Sequence, residues 1–436
     1  MNLTKICPLW KQASLFLIGL AVFFFWSYGL ANRYAASLDI VPSIMYDWEQ
    51  YIPFWPWTII PYWSMDLLYG ISFFICTSKH ELTIHAGRLF AASCICCTLF
   101  ILFPLSCSFV LPEITSPIFR WLIVGSGLVA TPFNQAPSLH IALAWLVWLR
   151  FRAHTDGILR IFLSGWFVLI GLSVLTCYQH HFIDVPLGLL VGVLISYFLP
   201  VQSFERIVSP DYTKRMKLGS FYLFGSLVLA SLAWYFKGGF LWLFWPALSL
   251  LLVAWGYFAG GTAVFQKNAK GELSLSVRIL LSPYRLGTYL SKRWFTRHLP
   301  AYTQITDQVY LGGLPVKGTV SQNGLLDLTA EFDSSSITCK QKVCCPHMDL
   351  LALSAQQIKQ ATEQLIVLTQ QGTVLVCCAL GLSRSATIVI AYLIQTKRFS
   401  TIQQATAFVT QKRPQIVLSA KQMYYLQQWQ ELIQFR

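Results

Sequence analysis

Long apolar runs fill the first 260 residues, and they limit what the chain can fold into more than any other feature. We count eight, at about 14–31, 56–77, 89–106, 138–152, 159–178, 183–200, 218–236 and 239–260. Roughly 20 apolar residues cross a bilayer, so the pattern predicts a polytopic α-helical membrane bundle of about eight spans. A further stretch near 119–131 is interpreted as a re-entrant or interfacial segment. The apolar core of the first run exceeds the roughly 7–15 residues of a signal peptide, which favours an uncleaved span.

Loop charges predict the orientation of these spans, because cytoplasmic loops are enriched in Lys and Arg. One set of loops holds Lys5, Lys11, Lys79, Arg88, Arg150, Arg152, Arg160, Arg206, Lys214, Arg215 and Lys217. The alternate set holds Arg33, Arg120 and Lys237. We therefore expect a multi-pass protein of a bacterial inner membrane with its C-terminal domain in the cytoplasm. The net charge of +14 then indicates contact with anionic lipid, and we expect no nucleic-acid partner.

A basic segment follows the last apolar run. Residues 262–301 contain seven Lys and Arg residues against one acid, Glu272, with aromatic and aliphatic residues between them. Such a composition suits the cytoplasmic membrane surface, and a solvated linker is the alternative. The predicted domains are a membrane domain at 1–261, this membrane-proximal linker at 262–301, and a soluble domain at 302–436.

The soluble domain contains a segment, 374–385, that reads as a buried strand, a loop with one glycine, and a helix. Within it, Cys378 and Arg384 have the spacing Cys-x5-Arg. Loop N–H groups and the helix N-terminus cradle a phosphate, and the guanidinium grips two of its oxygens. A cysteine in that place has a lowered pKa and attacks phosphorus as a thiolate. A buried structural cysteine beside an unrelated arginine is the alternative. The residues expected to bind phosphate are Ala379, Leu380, Gly381, Leu382, Ser383 and Arg384.

This loop, with Tyr310-Leu-Gly-Gly-Leu-Pro315 before it and Arg413-Pro414 after it, resembles the dual-specificity and tyrosine phosphatases. The resemblance covers roughly 302–436, where alternating strands and helices predict an α/β fold, and we expect no cofactor or metal. It also implies that Asp349, 29 residues before Cys378, protonates the leaving oxygen and then activates water. Ser385 matches the hydroxyl that helps the thiolate leave.

The chain departs from that family at Cys377, which stands where the family has a histidine that helps keep the thiolate ionised. This departure predicts a raised Cys378 pKa and a slower enzyme, or a pseudophosphatase. The side chains of Ala379, Leu380, Leu382 and Ser383 carry no charge, which favours a single phosphate on a lipid headgroup as the substrate. A thiolate needs a reducing cytosol, which the predicted topology supplies. The pair Cys344-Cys345 is interpreted either as holding a resolving thiol or as small core residues.

Two histidine motifs occur in the apolar part of the chain. Pro137-Ser-Leu-His140 opens the fourth run, and His180-His-Phe-Ile-Asp184 opens the sixth. His180 and Asp184 are four residues apart, so a helix would place them on one face. Asp184 can then fix the imidazole tautomer and prepare His180 as a nucleophile, and His140 can protonate the leaving oxygen. Interfacial polar anchors are the alternative. Asp66, inside the second run, either orders this site or makes a helix contact.

These motifs resemble the type 2 phosphatidic acid phosphatase superfamily, and within it the inositol phosphorylceramide and sphingomyelin synthases. The resemblance implies a six-helix core over roughly 50–200, no metal, and a phospho-histidine on His180. The superfamily's Lys-x6-Arg-Pro motif is absent, and Ser173-Val174 stands where it has Ser-Arg. The cationic partner of the phosphate is therefore unassigned, with Arg120 as a candidate.

The sequence thus predicts a bifunctional membrane phosphatase of phospholipid metabolism. The cytoplasmic site would hydrolyse a lipid phosphomonoester, for example phosphatidylglycerol phosphate or phosphatidylinositol phosphate. The outward-facing site would hydrolyse or transfer a lipid-linked phosphate. Two alternatives are a membrane-anchored protein tyrosine or dual-specificity phosphatase and a lipid-binding pseudophosphatase. The partners expected are a phospholipid substrate and the membrane.

Overall fold

A computed structural model of the protein describes residues 9–127 and 133–434. The chain divides into two compact units, Met1–Ser203 and Phe204–Arg436. The boundary falls before the last two apolar runs, because those helices pack with the basic segment and the soluble domain. The functional division at residues 261 and 302 stays a prediction.

The first unit is helical. Its helices are α1 (Leu9–Ala36), α2 (Ile59–Phe74), α3 (Lys79–Leu102), α4 (Pro117–Gly127), α5 (Leu139–His154), α6 (Gly157–Thr176) and α7 (Asp184–Phe198). Side-chain caps begin two of them, since Ser78 accepts from the N–H of Glu81 and Ser138 accepts from that of Ile141. Their core is aliphatic and aromatic, with Leu82, Leu89, Leu146 and Ile170 fully buried.

Helices α5 and α7 approach each other closely along two glycines. A Cβ atom on Gly188 would lie 2.3 Å from the Ser138 carbonyl oxygen, and one on Gly192 would lie 2.9 Å from that of Ala142. Small residues four apart allow such backbone contact between apolar helices. The two histidine motifs stand at the adjoining ends of these helices and are brought together by this packing.

The second unit begins with a helical hairpin and the basic segment. Its helices are α8 (Tyr212–Phe236), α9 (Phe244–Trp255), α10 (Leu275–Leu280) and α11 (Ser282–Thr296). A π-helical turn at Gly256–Gly260 and a 3-10 turn at Gly261–Phe265 follow α9. Exposed apolar side chains mark one part of α11, namely those of Leu286, Leu290, Trp294 and Phe295. The basic segment is therefore largely helical and amphipathic, as a membrane-surface segment would be.

A helix occupies each of the eight apolar runs. Among the described residues, five helical stretches are long and apolar enough to cross a membrane. They are Leu9–Ala36, Lys79–Leu102, Gly157–Thr176, Tyr212–Phe236 and Gly238–Phe265. Helices α2, α5 and α7 have only 15 or 16 residues, or about 24 Å against a hydrocarbon core of about 30 Å. The count of eight spans stays a prediction. The segment expected at 119–131 is partly α4, and residues 128–132 lie outside the described ranges.

The rest of the second unit is an α/β domain, as expected. Its strands are β1 (Tyr302–Gln304), β2 (Val309–Gly313), β3 (Gly318–Thr319), β4 (Gly324–Thr329), β5 (Ile337–Thr338), β6 (Gln341–His347) and β7 (Val374–Cys378). Its helices are α12 (Ala355–Thr369), α13 (Arg384–Gln395), α14 (Ile402–Lys412) and α15 (Ala420–Gln434). The main sheet has the order β1-β2-β7-β4-β6, in which only β1 is antiparallel.

Alternation along β7 separates the two neighbouring cysteines. Val374, Val376 and Cys378 pack on one face of the sheet, while Leu375 and Cys377 pack on the other. The carboxyl ends of the four parallel strands meet at one edge. Cys378 ends β7 at that edge, beside the loops that follow β2, β4 and β6.

Candidate active sites

The phosphate loop is a tight turn between β7 and α13. Gly381 has φ +74°, in the left-handed region, and a Cβ atom there would lie 2.2 Å from the carbonyl carbon of Gly312. Only glycine fits this position without moving the neighbouring strand β2. The loop predicted from the Cys-x5-Arg spacing therefore has the strand, turn and helix that we expected.

Cys378 is buried at the base of this loop. Its Sγ atom lies 3.2 Å from the Ser385 hydroxyl. Burial alone would raise the pKa of the Cys378 thiol. The Arg384 guanidinium, the Ser385 hydroxyl and N–H, and the Leu382 N–H outweigh that effect and lower the pKa below its ordinary value. A lowered pKa suits a thiolate nucleophile. It is opposite to the raised Cys378 pKa that we expected because Cys377 replaces the family's histidine.

Cys377 has the opposite environment. It is fully buried, and its Sγ atom lies 3.5 Å from the Leu326 carbonyl oxygen. Burial, with Asp327 and Cys378 nearby, raises the pKa of Cys377 well above its ordinary value. Between the two cysteines, only Cys378 is therefore placed to react. Burial also raises the pKa of Cys344 to about 11 and that of Cys345 to about 12, which suits core residues better than a resolving thiol.

Arg384 is held by two carboxylates. Its guanidinium donates to Glu331 Oε1 at 2.8 Å and to Oε2 at 3.3 Å, and also to Asp349 Oδ1 at 2.8 Å. The guanidinium also donates to the His347 carbonyl oxygen at 2.6 Å. Glu331 was not predicted from the sequence. The only feature that could have indicated it is its position, two residues beyond the buried strand β4. This carboxylate orients the guanidinium that we expect to bind phosphate.

Asp349 lies in the loop after β6, at the carboxyl edge of the sheet. Its side chain is 37% exposed, whereas those of Arg384 and Glu331 are almost fully buried. The ion pair with Arg384 brings Asp349 to the phosphate loop, where the expected general acid must be. Its catalytic role stays a prediction.

Buried polar contacts support the loop from below. Arg413 donates to the Gly381 carbonyl at 3.1 Å and to Thr303 Oγ1 at 3.0 Å. The N–H of Val417 donates to the Leu382 carbonyl at 3.0 Å. In the sequence, Arg413 was only part of the pattern that resembles the phosphatase family. The structure shows what it does, because its hydrogen bond to Gly381 fixes the loop backbone.

The residues of the second predicted site lie close together in the first unit, although a turn brings them together instead of a helix. His180 Nδ1 lies 3.1 Å from Asp184 Oδ2, as expected. However, α7 begins only at Asp184. The prediction that one face of a helix brings His180 and Asp184 together is therefore wrong. The chain turns through Tyr178, which has φ +56°, and the Asp184 carboxylate accepts the His181 N–H at 3.0 Å.

His140 and His180 line one cavity of about 380 Å³ together with Asp66, Tyr62 and aromatic side chains of α1. His140 stacks on Tyr62, with ring centroids 4.2 Å apart. The Ser138 N–H donates to the Asp184 carbonyl at 3.0 Å, which ties the two motifs together. The described residues that line this cavity include no Lys or Arg.

Arg120 is not among those lining residues and is exposed on α4. The described structure therefore gives no support to Arg120 as the cationic partner. Sequence reasoning also missed Glu49, whose buried carboxylate lies 3.2 Å from His181 Nδ1 and accepts the Phe182 N–H at 2.9 Å. Glu49 fixes the turn that carries His180.

Comparison with known proteins concerns the C-terminal part of the chain. Residues 310–432 match the family model described as "Dual specificity phosphatase, catalytic domain". A curated relative, "Putative tyrosine phosphatase 123R" of Invertebrate iridescent virus 6, is 48% identical over 59 residues, which are 13% of this chain and 41% of that protein. The chain thus spans less than half the length of this relative.

Solved structures of similar domains include PTPMT1 in complex with PI(5)P, which is 20% identical in sequence with a TM-score of 0.26. The match spans 31% of this chain and 99% of the PTPMT1 chain. Human DUSP28 is 17% identical and covers 30% of this chain and 97% of its own, with a TM-score of 0.28. The match to the family model identifies residues 310–432 as a dual-specificity phosphatase catalytic domain, so the chain carries an enzyme domain of the phosphatase class.

Proposed function

We propose that the protein is a bifunctional membrane phosphatase of phospholipid metabolism. A Cys-dependent phosphomonoesterase at Cys378 acts on a lipid headgroup phosphate in the cytoplasm. A His/Asp site at His180 acts on a lipid-linked phosphate at the outer side. The observation that carries the first activity is the position of the Cys378 site within the second unit, against the apolar hairpin and the basic segment.

Contacts from the basic segment reach several loops at the carboxyl edge of the sheet. Lys267 donates to Asp327 Oδ2 at 2.5 Å and to the Thr329 carbonyl at 2.8 Å, where β4 ends. Lys292 of α11 donates to the Leu314 carbonyl, just after β2. The catalytic edge is thus held beside residues that suit a membrane surface, and a lipid phosphate is the substrate that such a site reaches at high effective concentration.

The reaction proposed at this edge has two steps. The Cys378 thiolate forms a bond to phosphorus as the bond to the ester oxygen breaks, and Asp349 gives its proton to that oxygen. Asp349, now ionised, then takes a proton from a water molecule whose oxygen attacks the phospho-cysteine. Inorganic phosphate leaves, and Ser385 donates to the departing thiolate. The uncharged side chains of Ala379, Leu380 and Leu382 favour a substrate with a single phosphate.

The second activity is supported by the 3.1 Å contact between His180 and Asp184 and by the cavity shared with His140. Asp184 holds the imidazole for attack on phosphorus, and His140 protonates the leaving oxygen. With eight spans and the observed loop charges, this site faces outward and the Cys378 site faces the cytoplasm. Hydrolysis and transfer differ only in whether water or a lipid hydroxyl receives the phosphoryl group.

A protein tyrosine phosphatase is the main alternative for Cys378. The viral relative, which matches this chain over 59 residues, is named as a tyrosine phosphatase, and this favours the alternative. A lipid-binding pseudophosphatase is opposed by the lowered pKa of Cys378 and by the presence of Arg384 and Asp349 at the same edge.

The test compares lipid and peptide substrates for the full chain in vesicles. Phosphatidylglycerol phosphate, phosphatidylinositol phosphate and a phosphotyrosine peptide are offered at equal concentration, with Cys378→Ser as the control. We expect phosphate release from a lipid substrate to be faster and to disappear in Cys378→Ser. Faster release from the peptide would favour the protein phosphatase, and no Cys378-dependent release would favour the pseudophosphatase.

A further inference from the structure

The loop that carries Asp349, residues 347–353, is irregular and strained at one position. Leu350 has φ +61°, in the left-handed region, although it is not a glycine. A residue with a Cβ atom seldom adopts that conformation, because the Cβ atom comes too close to the following carbonyl oxygen. It persists only where surrounding contacts hold the chain in place. We call residues 347–353 the acid loop.

Some of these contacts come from the phosphatase domain itself. Arg384 donates to the His347 carbonyl and to the Asp349 carboxylate. At the far end of the loop, the Leu353 N–H donates to Gln422 of α15 at 3.0 Å. These contacts leave the backbone between Asp349 and Ala352 to be held by other residues.

The chain segments directly before and directly after the α8–α9 hairpin provide those contacts. The Tyr257 hydroxyl donates to the Asp349 carbonyl oxygen at 3.1 Å. The Ser209 hydroxyl, just before α8, donates to the Ala352 carbonyl oxygen at 2.8 Å. Tyr257 lies in the π-helical turn at Gly256–Gly260, and such turns occur often at functional sites.

Packing fixes the Tyr257 phenol in this position. Tyr257 is 1% exposed, and its ring stacks on that of Tyr222 in α8 at 5.4 Å. The Tyr222 ring in turn meets Tyr284 of α11 edge-on at 5.8 Å. The acid loop also lies against the turn itself, since a Cβ atom on Gly256 would be 3.5 Å from Met348 Cε. Three helices outside the phosphatase fold thus determine where the hydroxyl points.

We infer that Tyr257 and Ser209 are positioning residues for the general acid, so that the α8–α9 hairpin forms part of the phosphatase site as well as an anchor. This inference rests on the proposed phosphomonoesterase activity of Cys378. Asp349 must place its proton on the ester oxygen as the P–O bond breaks, and small displacements at that point are costly. The hydroxyl of Tyr257 holds the backbone of Asp349 itself.

Leaving-group dependence tests this role in the full chain in detergent. Phenyl phosphate needs a proton on its leaving oxygen, whereas 2,4-dinitrophenyl phosphate releases a stable anion without one. We expect Tyr257→Phe to lower kcat/KM for phenyl phosphate roughly fivefold, the effect of one lost hydrogen bond. Hydrolysis of 2,4-dinitrophenyl phosphate should change little. Asp349→Asn is the reference and should show the same selectivity with a larger loss, on the order of 10²-fold or more.

Two further variants complete the design. Ser209→Ala, just before α8, should reproduce the selectivity of Tyr257→Phe. Ser226→Ala removes a buried hydroxyl that joins α8 to α9 through the Ala247 carbonyl oxygen and does not contact the acid loop, so it should leave both rates unchanged. Hydrolysis of the dinitrophenyl ester also reports an intact fold, because it needs the Cys378 thiolate and Arg384.

Equal losses for both esters in Tyr257→Phe, or no loss for either, would overturn the positioning role while leaving the proposed function standing. If the wild type hydrolysed neither ester in a Cys378-dependent way, the proposed function would fail and the inference with it. The two failures are therefore distinguishable.

Discussion

The Asp349 carboxylate lies 2.8 Å from the Arg384 guanidinium. The expected general acid is therefore paired with the side chain that is expected to bind phosphate. The same nitrogen, Nη2, also donates to Glu331 at 2.8 Å. Glu331 is buried and Asp349 is partly exposed, so an arriving phosphate displaces Asp349 more easily. Substrate binding would then release the Asp349 carboxylate from Arg384, so that it can take up the proton that it later gives to the ester oxygen.

This competition predicts that removing Asp349 strengthens anion binding. Asp349→Ala should bind inorganic phosphate up to roughly fivefold more tightly, because an ion pair with one partly exposed partner contributes about 1 kcal/mol. Calorimetric titration of the full chain in detergent measures this change. Arg384→Ala is the matched control and should abolish binding. Weaker binding by Asp349→Ala would mean that the carboxylate supports the anion site instead of competing for it.

The two cysteines should differ in function as they differ in position. Cys378→Ser should abolish hydrolysis of a soluble phosphomonoester, because a serine hydroxyl does not ionise near neutral pH. Cys377→Ser should keep much of the activity, since Cys377 packs on the opposite face of β7. Steady-state rates of the two full-length variants are compared. Equal losses would show that the pair acts jointly or that the nucleophile was misassigned.

Ser385 should set part of the pH dependence. Its hydroxyl and N–H help lower the pKa of Cys378, so Ser385→Ala should raise that pKa. A higher thiol pKa leaves less thiolate at a given pH, and the rising limb of kcat/KM should therefore move to higher pH. Ser385→Thr keeps the hydroxyl and should stay close to the wild type. An unchanged profile in Ser385→Ala would remove Ser385 from the control of the thiolate.

The pair Lys267–Asp327 should be important for stability. Both side chains are almost fully buried, and Lys267 Nζ lies 2.5 Å from Asp327 Oδ2. Lys267→Met leaves a buried carboxylate without its cation, which should cost about 3–5 kcal/mol of unfolding free energy. The double variant Lys267→Met, Asp327→Asn removes that charge and should recover much of the loss. Denaturant titration in detergent measures both, and a single variant as stable as the wild type would contradict this account.

Local patterns were the most predictable part of this protein. The phosphate loop followed from the Cys-x5-Arg spacing, because its strand, turn and helix are adjacent in the chain. The contact between His180 and Asp184 was expected too, although a turn makes it instead of a helix. Eight apolar runs predicted eight helices, but residues alone did not decide which of them are long enough to cross a membrane.

Partners distant in sequence were not predictable. Glu331 reaches Arg384 across 53 residues, and Glu49 reaches His181 across 132. Lys267 belongs by its sequence position to the basic segment, yet its side chain is buried against β4. Single acids and bases carry no periodic signal, so only the packing of strands and helices reveals which of them meet.

The central claim is that one chain holds two independent phosphate sites. It is tested most directly by offering two lipids, a phosphomonoester for Cys378 and a lipid-linked phosphate for His180, to full-length variants. His180→Ala and Asp184→Asn should lose the second activity together, because Asp184 acts through the orientation of His180. Both should keep the first activity. Cys378→Ser should lose the first and keep the second, whereas loss of both activities in Cys378→Ser would mean that the membrane part is only an anchor.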